Sequence, residues 1–231
     1  MRISAKVVAA SCLAVSACLF IPREAAAQVP SVQRDGNWGT VSDVAMIIGT
    51  SSVFLMPRVY YSDPEATVGW KGRWHVSMLA PALTMAMATA LVEVPIKNAA
   101  EGVRPGCSVD ETIASVSNSG CETFGGPSTH AFASWGATGT GLGIFLMDTF
   151  RYSGSRFNVG GFIGNVAVPL TASIFTTVGR AVEPGNSLAY EDGLQITAGA
   201  LPGFFVGLGV GLAYAALQRP NCGYGNSIFC W

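Results

Sequence analysis

Five long apolar segments, separated by polar stretches, follow residue 28 of the chain. They lie at about residues 42–57, 76–96, 130–147, 160–178 and 194–217. The second and fifth are about 20 residues long or longer with at most one charge, which is enough to cross ~30 Å of hydrocarbon. The first and fourth segments are only marginal candidates for crossing a membrane. The pattern predicts an all-α helical bundle of about five helices, embedded in a membrane.

A soluble helical bundle in the periplasm is the alternative interpretation of the same segments. Each helix of such a bundle would carry a polar stripe, and the segment 194–217 carries none. Frequent small residues favour close packing of helices within a membrane. No repeat, linker or low-complexity stretch divides residues 28–231, so we expect a single domain there.

Residues 1–27 have the pattern of a secretory signal peptide. Arg2 and Lys6 form a basic start, an apolar stretch follows, and Ala25-Ala26-Ala27 offers a cleavage site of small residues. The alternative is an anchor helix that is not cleaved. In either case we expect Gln28 to lie outside the cytoplasm.

Composition narrows the class of protein further. Half of the residues are hydrophobic, only 12% are charged, and the formal net charge is -1. So low a charged fraction favours a membrane, and the net charge gives no electrostatic basis for nucleic-acid binding. The sequence indicates neither a metal site nor a cofactor.

Three polar segments carry the candidate chemistry. They are Lys97 to Pro105, which includes Arg104; Pro127-Ser128-Thr129-His130; and Gly179-Arg180, with Asp192 beyond it. If residue 28 is outside and every apolar segment crosses once, all three segments meet on the outer face. Cations on several sides of a histidine suit the binding of a phosphoryl group and the protonation of its leaving oxygen. Pro127 suits the first position of a helix, which would leave the amides of Ser128 and Thr129 free for an anion.

These segments resemble the signature of the type 2 phosphatidic acid phosphatase and vanadium haloperoxidase superfamily. That signature reads Lys, six residues, Arg-Pro; then Pro-Ser-Gly-His; then Ser-Arg, five residues, His, three residues, Asp. The first segment fits completely, the second has Thr129 in place of glycine, and the third keeps Arg180 and Asp192. The resemblance covers a motif core at about residues 75–217 and implies a helical phosphatase domain.

The resemblance also implies roles for individual residues. Lys97, Arg104, Ser128 and Arg180 would bind phosphate together with Thr129, His130 would be the general acid, and Asp192 would orient a nucleophilic histidine. The position of that nucleophile holds Asn186 or Leu188, and the only other histidine of the chain is His75. Neither Asn186 nor Leu188 can form a phosphohistidine. Glu191 or Asp192 could replace the missing nucleophilic histidine, by forming an acyl phosphate or by activating water.

Three functions follow as hypotheses. The first is a phosphoric monoester hydrolase that acts on a lipid phosphate or pyrophosphate, with its active face on the periplasmic side of a bacterial inner membrane. The second is an inactive pseudoenzyme that binds phosphate-bearing lipid, or a subunit of an envelope assembly. The third, a vanadate-dependent haloperoxidase, is disfavoured because its vanadate ligand is the same missing histidine. We expect weak or absent hydrolysis and measurable binding of a phosphate-bearing lipid or small phosphate ester.

The cysteines and the charges of the loops indicate how the chain is oriented across the membrane. Cys107 and Cys121 lie in the loop between the first two motif segments, and outside the cytoplasm they are predicted to form a disulfide. Cys222 and Cys230 fall on the cytoplasmic side of a five-crossing topology, and their state is left open. The loops on that side carry Arg58, Lys71, Arg73, Arg151, Arg156 and Arg219, in agreement with the positive-inside rule.

Overall fold

Five helices make up most of the structure, a computed structural model that describes residues 37–55, 58–61, 70–73, 79–105, 107, 110, 124–181 and 191–217. They are α1 (Asn37–Phe54), α2 (Leu79–Ala100), α3 (Thr129–Met147), α4 (Val159–Ala181) and α5 (Gly193–Leu217). The predicted all-α helical bundle is confirmed. The signal-peptide prediction for residues 1–27 and the predictions for Cys121, Asn186, Leu188, Cys222 and Cys230 lie outside the described residues.

A short antiparallel pair of strands lies between α1 and α2 in the chain. It consists of β1 (Arg58–Tyr61) and β2 (Trp70–Arg73), with Arg58 opposite Arg73. Strand β1 packs near the end of α3 and the start of α4. This pair was not predicted. It lies at the end of the bundle where α3 finishes, opposite the end where α3 begins.

Two helices contain a π-helical turn, and α3 continues into one. The turn in α2 spans Val92–Ile96 and contains Pro95, whose missing amide hydrogen the wider turn accommodates. The turn in α4 spans Ile163–Ala167, and the turn after α3 spans Asp148–Tyr152. The turn in α2 ends immediately before Lys97, and Lys97–Ala100 form the last α-helical residues before the loop that carries Arg104.

Helix α3 is the centre of the bundle, and α5 packs along its whole length. Glycines at every fourth position of α5 face the carbonyl groups of α3: Gly199, Gly203, Gly207 and Gly211. A Cβ atom added at Gly207 would lie 2.0 Å from the carbonyl oxygen of Gly136. The two backbones therefore approach more closely than any larger residue would permit.

Hydroxyl groups tie the remaining helices to one another. The Ser42 hydroxyl of α1 donates to the Thr176 carbonyl of α4 (3.1 Å), and the hydroxyls of Thr138 and Ser173 share a hydrogen bond of 2.8 Å between α3 and α4. The start of α1 also packs closely on α4, since a Cβ atom added at Gly179 would lie 2.6 Å from the Trp38 carbonyl oxygen. The first turns of α1, which precede the apolar run at 42, are therefore in contact with α4.

Three of the helices are long and apolar enough to cross a membrane: Leu79–Ala100, Val159–Ala181 and Gly193–Leu217. Their outer surfaces expose large apolar side chains, such as Leu83 and Met87 on α2 and Phe205 on α5. These helices suggest association with a membrane. The fourth segment was only a marginal candidate in the sequence. Its helix is long enough to cross a membrane because it extends to Ala181.

Candidate functional site

The three motif segments lie at one end of the bundle. Helices α2 and α4 finish there, bringing Lys97 and Arg180, while α3 and α5 begin there, bringing His130 and Asp192. Arg104 follows α2 in a loop whose Gly102 pairs with Gly126, immediately before the second motif segment. The end of the bundle thus gathers side chains that are far apart in the chain.

His130 is in contact with groups from two other helices. The Arg180 guanidinium of α4 lies against its ring nitrogens. From α1, the Asp43 carboxylate lies 3.0 Å from His130 Nε2 and 3.6 Å from Arg180 Nη2. The three side chains form one cluster, and Asp43 is its most exposed member, with 54% of its side chain accessible. The sequence did not single out Asp43.

Lys97 has a partner on its own helix. Its ammonium is buried and donates to the Glu93 carboxylate one turn earlier, at 2.9 Å. The Thr129 hydroxyl donates to the same carboxylate. Glu93 therefore joins the first motif segment to the second. The spacing of four residues between Glu93 and Lys97 is a helical ion-pair pattern that could have revealed this partner.

Arg104 lies beside a buried acid. Its Nη1 atom is 3.6 Å from Glu191 Oε1, and only 1% of the Glu191 side chain is accessible. Neither carboxylate oxygen of Glu191 has a hydrogen-bond partner. The stem of Arg104 packs over Gly125, where a Cβ atom would lie 2.8 Å from Arg104 Cγ. The backbone amide of Glu191 also donates to the Arg180 carbonyl (3.1 Å), which places the acid between two motif arginines.

The first turn of α5 connects these parts. The Asp192 carboxylate accepts from the Gln195 amide at 2.6 Å, and the Gln195 side chain accepts from the Asp192 amide at 3.2 Å. This is a reciprocal capping arrangement, with Asp192 as the N-cap. Gln195 also donates from Nε2 to the Val103 carbonyl (2.7 Å). An acid followed three residues later by Gln is a recognisable sequence signal for such a cap, so Gln195 could have been identified.

The expected geometry at Pro127 is wrong. The sequence suggested Pro127 as the first helical residue, with the amides of Ser128 and Thr129 free for an anion. Instead α3 begins at Thr129, Ser128 is its buried N-cap, and the Ser128 hydroxyl accepts from the Ala131 amide (3.2 Å). The Ser128 amide donates to the Gln195 carbonyl (2.9 Å). Because the amides of Ser128 and Ala131 are used in this way, the amides of Thr129 and His130 are the ones left to face an anion at this helix end.

Thr129 stands where the family signature has glycine, and its backbone needs no glycine. Among the described residues, only Glu101 and Ser155 combine a side chain with a positive φ. Thr129 is therefore accommodated at the start of α3 without strain, and its hydroxyl is used by Glu93. The substitution adds an internal hydrogen bond to the site.

The environment of His130 favours the neutral imidazole. Burial lowers the pKa of His130, as do the nearby Arg180 and Lys97, while Asp43 acts in the opposite direction, and the result is a pKa of about 4. His130 lies at the start of α3, outside the three candidate membrane helices. An anion placed among these cations would reverse part of the lowering and favour the protonated ring.

Cys107 is buried and disulfide-bonded. Because Cys121 lies outside the described residues, the pairing of these two cysteines stays a prediction. Among the residues that the structure describes, no group of three or more His, Cys, Asp or Glu side chains could hold a metal ion.

Comparison with known proteins returns no match: no family model, no curated protein and no solved structure corresponds to this chain. The family resemblance therefore rests on the motif residues alone.

Proposed function

We propose that the protein binds a phosphate-bearing lipid at this end of the bundle, in a phosphatase-like pocket. The observation that carries the proposal is the gathering of Lys97, Arg104, Arg180 and His130 from separate elements. Lysine and arginine placed around one space match the charge and the several acceptor oxygens of a phosphate. The apolar outer surface of the helices suits a ligand that arrives from a membrane.

The cations of the pocket are largely buried, which increases their effect on an anion. Accessible fractions of the side chains are 6% for Lys97, 12% for Arg104 and 11% for Arg180. The Nε atom of Arg180 is buried and has no acceptor. A phosphate oxygen would supply one. The first-turn amides of α3 and the positive end of its dipole would favour the same anion.

Hydrolysis is expected to be weak or absent, because the family mechanism needs a nucleophilic histidine where this chain has Asn186 or Leu188. Protonation of a leaving oxygen by His130, together with charge neutralisation, would assist direct attack by water only to a small extent. The protein is then a phosphate-lipid-binding relative of the phosphatases, oriented with this pocket in the periplasm.

Turnover through Glu191 is a second candidate, favoured because neither oxygen of that carboxylate has a hydrogen-bond partner. A Glu191 oxygen would form a bond to phosphorus while the bond to the leaving oxygen breaks, and His130 would give that oxygen a proton. Water would then attack the phosphorus, releasing phosphate and restoring the carboxylate. Asp192 is less suited to this role because it caps α5.

The test combines binding and hydrolysis on the purified full chain. We expect wild-type protein to bind vesicles that contain phosphatidic acid, and Arg104→Ala or Arg180→Ala to lower the affinity roughly tenfold or more, as expected for loss of a charged hydrogen bond. Arg156→Ala is the matched control, since it removes an exposed cation at the opposite end. Equal binding by all four proteins would refute the pocket.

Release of inorganic phosphate is measured on the same proteins together with His130→Ala. We expect little release by wild type and more by Asn186→His or Leu188→His. Robust wild-type release that disappears in Arg104→Ala and His130→Ala would instead establish an enzyme, and Glu191→Gln would then show whether Glu191 is its nucleophile.

A further inference from the structure

Each of the three cations of the pocket is paired with a carboxylate. Among the described residues, Lys97 is paired with Glu93, Arg104 with Glu191, and Arg180 with Asp43. Two further described acids lie at this end: Glu101, which follows α2, and Asp192, which faces the first turn of α5 and its positive dipole end. A dianionic phosphate monoester entering this cluster would leave it with a net negative charge, and unbalanced charge in a partly buried site is costly.

Unsatisfied groups in the cluster call for both kinds of hydrogen-bond partner. The buried Arg180 Nε lacks an acceptor, whereas the two buried oxygens of Glu191 lack donors. A plain phosphate would serve the arginine and repel the acid. A ligand that carries both an anion and an ammonium group offers acceptors as well as N–H donors to such a cluster.

Two of the three paired acids lie where such a cation could be received. Asp43 and Glu93 are about half exposed, with 54% and 46% of their side chains accessible, while the cations beside them are buried. When a phosphate takes the place of these acids beside Arg180 and Lys97, the carboxylates lose their partners at the mouth of the pocket. An ammonium group of the same ligand would replace those partners.

We propose that the ligand is a lipid with a zwitterionic phosphodiester head group that carries a primary ammonium, as in phosphatidylethanolamine. This inference rests on the proposed phosphate-binding function and adds the class of head group. The phosphodiester occupies the cations around His130, and the ammonium donates to Asp43 and Glu93. A primary ammonium has N–H donors for carboxylates, whereas a quaternary ammonium is usually held by aromatic faces.

The experiment measures affinities of the purified full chain in non-ionic detergent for four soluble short-chain lipids. These are phosphatidylethanolamine, phosphatidylcholine, phosphatidylglycerol and phosphatidic acid. We expect phosphatidylethanolamine to bind about threefold to fivefold more tightly than the others, as for one partly exposed ion pair. Asp43→Asn should abolish this preference and strengthen binding of phosphatidylglycerol. Asp110→Asn removes an exposed acid that is none of the three paired with the cations; it is the control and should keep the preference.

The outcomes separate this inference from the proposed function. Binding of phosphatidic acid or phosphatidylglycerol as tightly as phosphatidylethanolamine would overturn the zwitterionic ligand and leave the phosphate pocket standing. Equal affinity for phosphatidylcholine would overturn the primary ammonium. Binding of none of the four would remove the proposed function as well. The wild-type comparison needs no variant, so a misfolded Asp43→Asn protein would not prevent the decision.

Discussion

At the scale of single residues, His130 is the side chain whose charge state the structure controls most strongly. Burial and the neighbouring Arg180 hold its pKa far below the ordinary value. A general acid must carry a proton before it donates one, so the ligand-free pocket is not in its acidic form. A bound anion would stabilise the protonated ring of His130. Protonation of His130 would therefore be coupled to ligand binding.

The lowered pKa makes a prediction about stability. In the unfolded chain His130 titrates near the usual value of about 6.5, so between that pH and its lower folded value the unfolded state binds more protons. Stability that is present above about pH 6.5 is therefore lost as the pH falls toward the folded pKa of about 4. We expect the melting temperature of the detergent-purified protein to fall from pH 7 to pH 5.

The variant His130→Asn isolates this contribution, because all carboxylates and His75 remain in both proteins. Its melting temperature should depend less on pH than that of wild type over the same interval. An identical pH dependence in the two proteins would show that His130 does not have a lowered pKa.

At the scale of elements, the glycine face of α5 decides how closely α5 and α3 approach. Gly207 and Gly209 lie on the same helix, yet only Gly207 faces α3. A Cβ atom there would lie 2.0 Å from a backbone oxygen, whereas a Cβ atom at Gly209 would have no neighbour within 4 Å. The two positions therefore form a matched pair for testing the contact.

We expect Gly207→Ala to destabilise the fold by roughly 1–3 kcal/mol, because the helices must separate to admit the methyl group. Gly209→Ala should be neutral or stabilising by up to about 1 kcal/mol, since alanine favours the helix and meets nothing. Thermal unfolding of both variants in the same detergent checks this. Equal effects at the two positions would contradict close packing of α5 on α3.

At the scale of the whole molecule, the arrangement of helices explains why α3 is less apolar than α2, α4 and α5. Helix α3 is largely enclosed by α1, α2, α4 and α5 and contains many glycine and threonine residues. A helix surrounded by protein needs no apolar surface toward lipid. The helices α2, α4 and α5 expose their apolar side chains and have the length to cross.

Membrane association can be tested by extraction of the native membranes. We expect the protein to remain in the pellet after washing with alkaline carbonate and to enter the supernatant with a mild detergent, because spanning helices are released only when lipid is replaced. A soluble periplasmic bundle would instead appear in the osmotic-shock fraction without detergent. A peripheral protein would be released by the carbonate wash.

The sequence by itself determined the helices, since hydrophobicity along a segment is a local property. The predicted segments 130–147, 160–178 and 194–217 match α3, α4 and α5 to within three residues at each end. The start of α1 and the strand pair were missed, because packing against distant parts of the chain decides them. The motif spacing also identified the cations of the candidate site.

Only the tertiary structure decided that Asp43 and Glu191 face those cations, whereas the spacing of Glu93 and Lys97 is a local helical signal. Asp43, Glu93 and Glu191 come from three different elements, and nothing in their local sequence distinguishes Asp43 from an ordinary surface acid. The use of the Ser128 amide by Gln195 likewise depends on α5 reaching the start of α3. Partners of this kind depend on distances between separate helices, and these distances are set by how glycine faces and hydroxyl groups pack, which a linear pattern does not encode.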